Sequence, residues 1–370
     1  MSVIRPRPPE DPLTYDGGGW TPGPRADRLA AIRARLVAVP GDLGLAPRVL
    51  EDYDTRRPAS RLFAILSAAR RIRAAVDRVV IVAGGSIGPA TRLLAASCCH
   101  PVHDQLPRGE RGGRPRLVWL DGRSDNDTLQ GLFDVVAPVG GPRPDDLLDR
   151  WAIMPVDAPP AEPRQLEISA ILLGRLAESL GGDQTRLAER VVSIAAGPGA
   201  GVALAERLGC PLRFTAEAGL GSAAGVFTAG GLLPAAVVGI DVVHLLKGAA
   251  AMLRRFAEAP LGENPAIIDG AVAFEAARSG RAAGRLLLTD QLWVSALNAW
   301  HTAVRPVPPG VAAVVTRLDS GESRRDRLVE PPAGEPAMIR LPRVDEHTIG
   351  QLLQLLMLSA AVERQLQEAV

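Results

Sequence analysis

Two kinds of residue in this 370-residue chain could do chemistry: glycines placed to receive an anion, and a few scattered titratable side chains. The stretch Val79–Thr91, VVIVAGGSIGPAT, joins a β-branched run to Gly84, Gly85, Ser86 and Gly88, and then to a helical pattern. A strand, a glycine turn and a helix N-terminus in succession leave backbone N–H groups pointing outward. The glycines let a ligand come close, and the helix dipole favours negative charge. Pro89 suits the first helical turn, where its missing N–H costs nothing. Gly85 and Ser86 are the best placed for anion binding. The same pattern also fits a plain strand-to-helix turn, so its context has to decide.

The titratable candidates are fewer. His301 closes the Trp-containing helical stretch SALNAWH and is a candidate base, or else a cation at a helix C-terminus. Glu217 stands just before a glycine-rich stretch and is a candidate to face a cleft. Asp319 and Glu322, in a polar stretch, could supply a relocated base. His244 falls on an apolar helical pattern and reads as core, and His347 reads as a solvated neighbour of Asp345 and Glu346. The five histidines and three cysteines (Cys98, Cys99, Cys210) make no metal spacing and no disulfide framework, so neither metal nor other cofactor is expected. The cysteines read as small buried hydrophobes suited to a reducing compartment.

A net charge of +1 argues against electrostatic binding of nucleic acid or a membrane surface. Lys247 is the only lysine, which removes lysine chemistry from nearly every position. The opening MSVIRPRPPEDP lacks the apolar core of a signal peptide, and no stretch reaches the length of a membrane span. These features predict a cytoplasmic protein.

The elements that must position the candidates alternate between strand and helix. Residues 1–25, rich in Pro, Gly and Asp, read as a loose arm. Helical spacing covers Arg25–Val37 and Ser60–Asp77, and the latter delivers the chain to the Val79 strand. A basic glycine loop, Pro107–Arg114, precedes the strand Leu117–Leu120. Trp151–Val156 has strand length, although Pro155 is awkward in a central strand. Further strands are read at Val191–Ala195, Leu212–Thr215, Gly284–Thr289, Val311–Val315 and Ala337–Leu341, and a long closing helix at Asp345–Gln367. The alternation predicts α/β layers with mostly parallel sheets, whose ligands sit at the carboxyl ends of the strands.

Several stretches together resemble phosphoglucose isomerase, an aldose–ketose isomerase of two sugar-isomerase (SIS) domains. Val82–Pro89 (VAGGSIGP) looks like the family's GIGGSxLGP loop, and Leu120–Asp134 like its Asp-x-Asp-Thr stretch before a helix. Thr228–Met252 resembles AVGLLPAALAGID…LL.GAxxM, and Glu263–Ala266 (ENPA) an Asn-Pro-Ala helix start. Cys98-Cys99-His100 with Pro107–Arg114 looks like one bacterial branch. The resemblance runs from about residue 50 to 363. It implies two three-layer α/β/α SIS domains: residues 1–44 as arm and helix, 45–258 as the first domain, 259–344 as a second, smaller one, and 345–370 as a helix packing back on the body. It also implies a sugar phosphate ligand, a homodimer and a place in glycolysis and gluconeogenesis. The family reaction converts glucose 6-phosphate to fructose 6-phosphate through a cis-enediolate.

The departures fall on the chemistry. The family's Ser-Lys-Ser-Gly-Thr-Thr phosphate loop corresponds to VDAPPAE, where Pro159 and Pro160 remove two N–H donors. Asp157 there would repel a phosphate; a like-charge pair at about 4 Å costs on the order of 4 kcal/mol at a near-surface dielectric. Ala223 occupies the place of the arginine that would stabilise the enediolate. The glutamate base, the ring-opening histidine and the late lysine have no counterpart. Losing a general base alone typically costs about 10²–10⁴-fold in rate. The expectation is therefore a homologue with lost or reduced isomerase activity, a pseudoenzyme that binds a sugar phosphate or a partner. The alternative is an active isomerase with relocated catalytic groups.

Overall fold

Runs of Val, Ile and Leu set between helical stretches build two sheets. The computed structural model describes residues 12–368 except 18, 85–86, 137–145, 158–162, 196–199, 216–221, 281–283, 289–291, 306–312 and 320–336. The strands are β1 Thr14–Asp16, β2 Arg78–Ala83, β3 Arg116–Leu120, β4 Trp151–Asp157, β5 Val192–Ala195, β6 Leu212–Thr215, β7 Gly284–Leu288, β8 Ala313–Asp319 and β9 Met338–Arg340. One sheet has the order β3-β2-β4-β5-β6 and is parallel throughout. The other has the order β1-β9-β8-β7, with β1 antiparallel at its edge. The α/β class with mostly parallel sheets is as the alternation predicts.

By contacts the chain forms two units, residues 48–242 with 295–304 around the five-stranded sheet, and residues 1–47, 243–294 and 305–370 around the four-stranded one.

In the five-stranded unit Val79, Val80, Ile81 and Val82 are all fully buried. Burial of each such side chain is worth about 1.5–3 kcal/mol. Val80, Val82 and Ile153 meet Leu129, Leu132, Ile168 and Leu172, which come from the helices Asn126–Val136 and Pro163–Ser179. Strand alternation turns Val79 and Ile81 to the other face. Ser60 caps the preceding helix Arg61–Ala75 by accepting the Phe63 N–H at 3.2 Å.

Pro155 does sit in a central strand, and the ladder shows why it is tolerated. The Ile153 N–H points toward β5, donating to Arg190 O. Pro155, two residues on, would point the same way. The β4–β5 pairing is interrupted there, between the Ile153–Val191 bridge and the Val156–Ile194 pair.

At the amino end of this sheet the basic loop has a structural task. Asp77 is fully buried and receives Arg108 at 2.8 Å, Arg111 at 2.5 Å and Arg116 at 2.5 Å. Gly112 and Gly113, at φ of 65° and 75°, turn the loop back toward it. Of the cysteines expected inside, Cys210 is buried, whereas Cys98 and Cys99 are half-buried.

In the four-stranded unit the N-terminal segment is no loose arm from residue 12 onward. Leu13 is fully buried, its N–H donating to Gln351 Oε1 and its carbonyl accepting from Arg255. The helix Glu346–Glu368 crosses Val242–Glu258 at glycines. A Cβ on Gly248 would lie 1.9 Å from His347 O, and one on Gly350 2.0 Å from Leu245 O. This contact gives the Gly248 of the GAAAM motif its physical role. It also brings the His244 and His347 rings to 5.0 Å, both residues only 4% exposed. His244 is core, as its pattern predicts. His347 is buried beside Gln351, not solvated, because the helix turns it into this crossing. No described helix is long and apolar enough to cross a membrane.

Candidate functional site

The site is built where β2 and β3 end. β2 stops at Ala83, and the helix Ile87–Cys98 begins four residues later. Gly88 N–H donates back to Gly84 O at 3.3 Å, and a Cβ on Gly88 would lie 2.8 Å from Ala83 O. Only glycine lets the helix start this close to the strand. Thr91 is buried and closes the first turn by donating to Gly88 O.

One turn on, the helix presents Arg92. The parallel partner strand brings a second set of groups, since Val82 is in register with Leu120. Asp121 follows directly and is fixed in a tight turn. Its N–H donates to Ser124 Oγ at 3.1 Å, its carbonyl accepts the Ser124 N–H at 3.0 Å, and Oδ1 accepts the Arg123 N–H at 3.0 Å. Its Oδ2 faces Arg123 Nη2 at 3.3 Å and Arg92 Nη2 at 3.9 Å. A cavity of about 370 Å³ lies among Gly84, Gly88, Arg92, Asp121, Arg123 and Ala299. Two guanidinium groups beside a helix N-terminus form a surface suited to a phosphate or carboxylate.

The neighbouring strand ends differently. Ala83 is in register with Val156, and Asp157 is the last residue of β4. The order of the sheet reverses between β2 and β4, which is where ligands bind in open parallel sheets. Gln165 fills this point on one face, its Nε2 donating to Val82 O at 3.2 Å and Val156 O at 2.9 Å. Asp157 lines a separate cavity of about 590 Å³, walled mainly by Leu166, Leu173, Leu204 and Leu208, with Arg207 also lining it. Burial raises the Asp157 carboxyl above the ordinary aspartate value. Among the described residues it makes no ion pair.

Of the residues singled out by sequence, Gly84 and Gly88 stand together at the β2 end, and Asp157 at the β4 end. Ala223 is half-buried in the turn Ser222–Phe227, where its methyl offers no charge. His301 is 3% exposed on the helix Val294–Val304, whose Ala299 reaches the smaller cavity. Asp319 lies in the four-stranded unit, 3.8 Å from Arg340. Gly85, Ser86, Pro159, Pro160, Glu217 and Glu322 lie outside the described residues. Sequence reasoning missed Arg92, Asp121 and Arg123 as a cluster. The available signals were Arg92 four residues after Gly88 and an Asp-Gly-Arg closing the next strand.

No family model matches the chain. A glucose-6-phosphate isomerase of Rubrobacter xylanophilus is 34% identical over 252 residues, 66% of this chain and 52% of that protein. One of Symbiobacterium thermophilum is 29% identical over 201 residues, 54% of this chain and 42% of that protein. The chain thus spans about half the length of the curated relatives it matches. In fold it is similar to a hypothetical protein of Thermus thermophilus, with a TM-score of 0.69 at 19% identity over 96% of this chain and 94% of that one. It is also similar in fold to a glucose-6-phosphate isomerase of Chlamydia trachomatis, with a TM-score of 0.60 at 10% identity over 82% of this chain and 68% of that one. In sequence the chain is thus related to glucose-6-phosphate isomerases.

Proposed function

We propose that this protein binds a phosphorylated sugar at the β2–β3 end of its five-stranded sheet and has lost most of the family's isomerase catalysis. The observation that carries the reading is the contrast between adjacent strand ends. Gly84, Gly88, Arg92 and Arg123 favour an anion at one. At the other a half-buried Asp157, with no ion pair among the described residues, opposes one. Ala223, in the position of the family's arginine, supplies no charge to an enediolate. By analogy with the family the protein acts as a cytoplasmic homodimer.

Two measurements on protein purified free of host isomerase test this. In a coupled assay, conversion of fructose 6-phosphate should fall far below the ordinary enzyme range of about 1–10³ per second. Turnover within that range would contradict the loss of catalysis and favour relocated catalytic groups. In a thermal shift titration, 6-phosphogluconate should stabilise the fold saturably. A flat response would remove the binding half of the proposal.

A further inference from the structure

We propose that Asp121 sets the ligand class of this site, admitting a hydroxylated phosphate ester and rejecting an oxyanion without hydrogen-bond donors, such as sulfate. The inference rests on the sugar-phosphate reading above and names the residue that gives it selectivity. Asp121 stands between the two arginines that line the cavity, 3.3 Å from Arg123 Nη2 and 3.9 Å from Arg92 Nη2. The Arg123 N–H holds its Oδ1, Ser124 fixes its backbone, and its side chain is 21% exposed. A phosphate that reaches the arginines therefore meets a carboxylate among them, and the like charges oppose its entry.

A carboxylate only accepts hydrogen bonds. A phosphorylated polyol brings hydroxyl donors that can satisfy Asp121 while its phosphate takes the guanidinium groups and the helix N-terminus. Sulfate at neutral pH carries no proton and has no donor to offer Asp121 in return. A cavity of about 370 Å³ is within the range of small-ligand pockets and holds more than a lone phosphate. The group that weakens simple anions thus strengthens hydroxylated ones.

The test is calorimetric titration of the full chain with 6-phosphogluconate and, separately, with sulfate. The wild type should prefer 6-phosphogluconate by about tenfold or more. In Asp121→Asn, which keeps an oxygen acceptor for the Arg123 N–H, sulfate should bind about tenfold more tightly and the preference should collapse. An unchanged preference in this variant overturns the inference. Arg92→Gln gives a second reading that does not depend on the first variant folding: both anions should weaken by about tenfold with the preference kept. A loss confined to 6-phosphogluconate overturns it. If the wild type binds both anions equally, the role of Asp121 fails and the sugar-phosphate reading stands. If it binds neither, that reading fails too.

Discussion

The two ends of the five-stranded sheet handle charge in opposite ways. At the amino end, Asp77 is fully buried and surrounded by Arg108, Arg111 and Arg116, so its oxygens are satisfied by guanidinium groups. At the carboxyl end, Asp157 is half-buried with no ion pair among the described residues, while Arg92 and Arg123 share the single carboxylate of Asp121. Paired charge at one end fixes the basic loop to the sheet. Under-paired charge at the other is what an anion could use. The sheet is therefore locked where the chain enters it and chemically open where the strands end.

Substitutions should separate the two ends. The largest effect belongs to Asp77→Asn, which leaves the buried Arg111 and the half-buried Arg108 and Arg116 without their counter-charge. It should lower stability by about 3–5 kcal/mol in urea unfolding. Next is Gly88→Val, whose added carbons meet Ala83 O and force the helix off the strand end. A cost of about 1–3 kcal/mol is expected, together with loss of 6-phosphogluconate binding. Asp157→Asn should go the other way. Removing a partly buried charge that has no ion pair among the described residues should raise the midpoint of thermal unfolding by about 2 °C at neutral pH. If Asp157→Asn destabilises as Asp77→Asn does, the two ends are not distinct.

The sign of the Asp157 effect with pH sharpens the contrast. Its carboxyl titrates higher in the folded chain than the ordinary value of 3.8, so between the two values the folded state holds the proton more firmly. Stability therefore rises as the pH falls through the folded value toward 3.8. The advantage of Asp157→Asn over the wild type should shrink across that window and vanish below it. An advantage that grows on acidification would contradict the assignment. The smallest effect is on salt dependence: the affinity for 6-phosphogluconate should fall with ionic strength, and less steeply in Arg92→Gln.

The framework was legible because its signals are local. β-Branched runs marked β2 and β5, Ser60 and Asn264 marked helix starts, and the glycines of Val82–Pro89 marked the close approach at the end of β2. What stayed hidden depends on distant partners. β1 is a strand only because β9 lies beside it, and His347 is buried only because Gly248 lets two helices touch. Pro155 is tolerated only because β5 leaves a gap in its ladder. The same holds for the candidate site. Gly84 and Gly88 could be read from their own segment, but Arg92, Asp121 and Arg123 converge through the register of β2 with β3, which no single stretch encodes.

The most direct test of the account is a crystal soaked with 6-phosphogluconate. The phosphate oxygens should lie about 2.7–2.9 Å from guanidinium nitrogens of Arg92 or Arg123, the distance of a charge-assisted hydrogen bond. A phosphate ordered instead beside Asp157, in the cavity walled by Leu166 and Leu204, would contradict it.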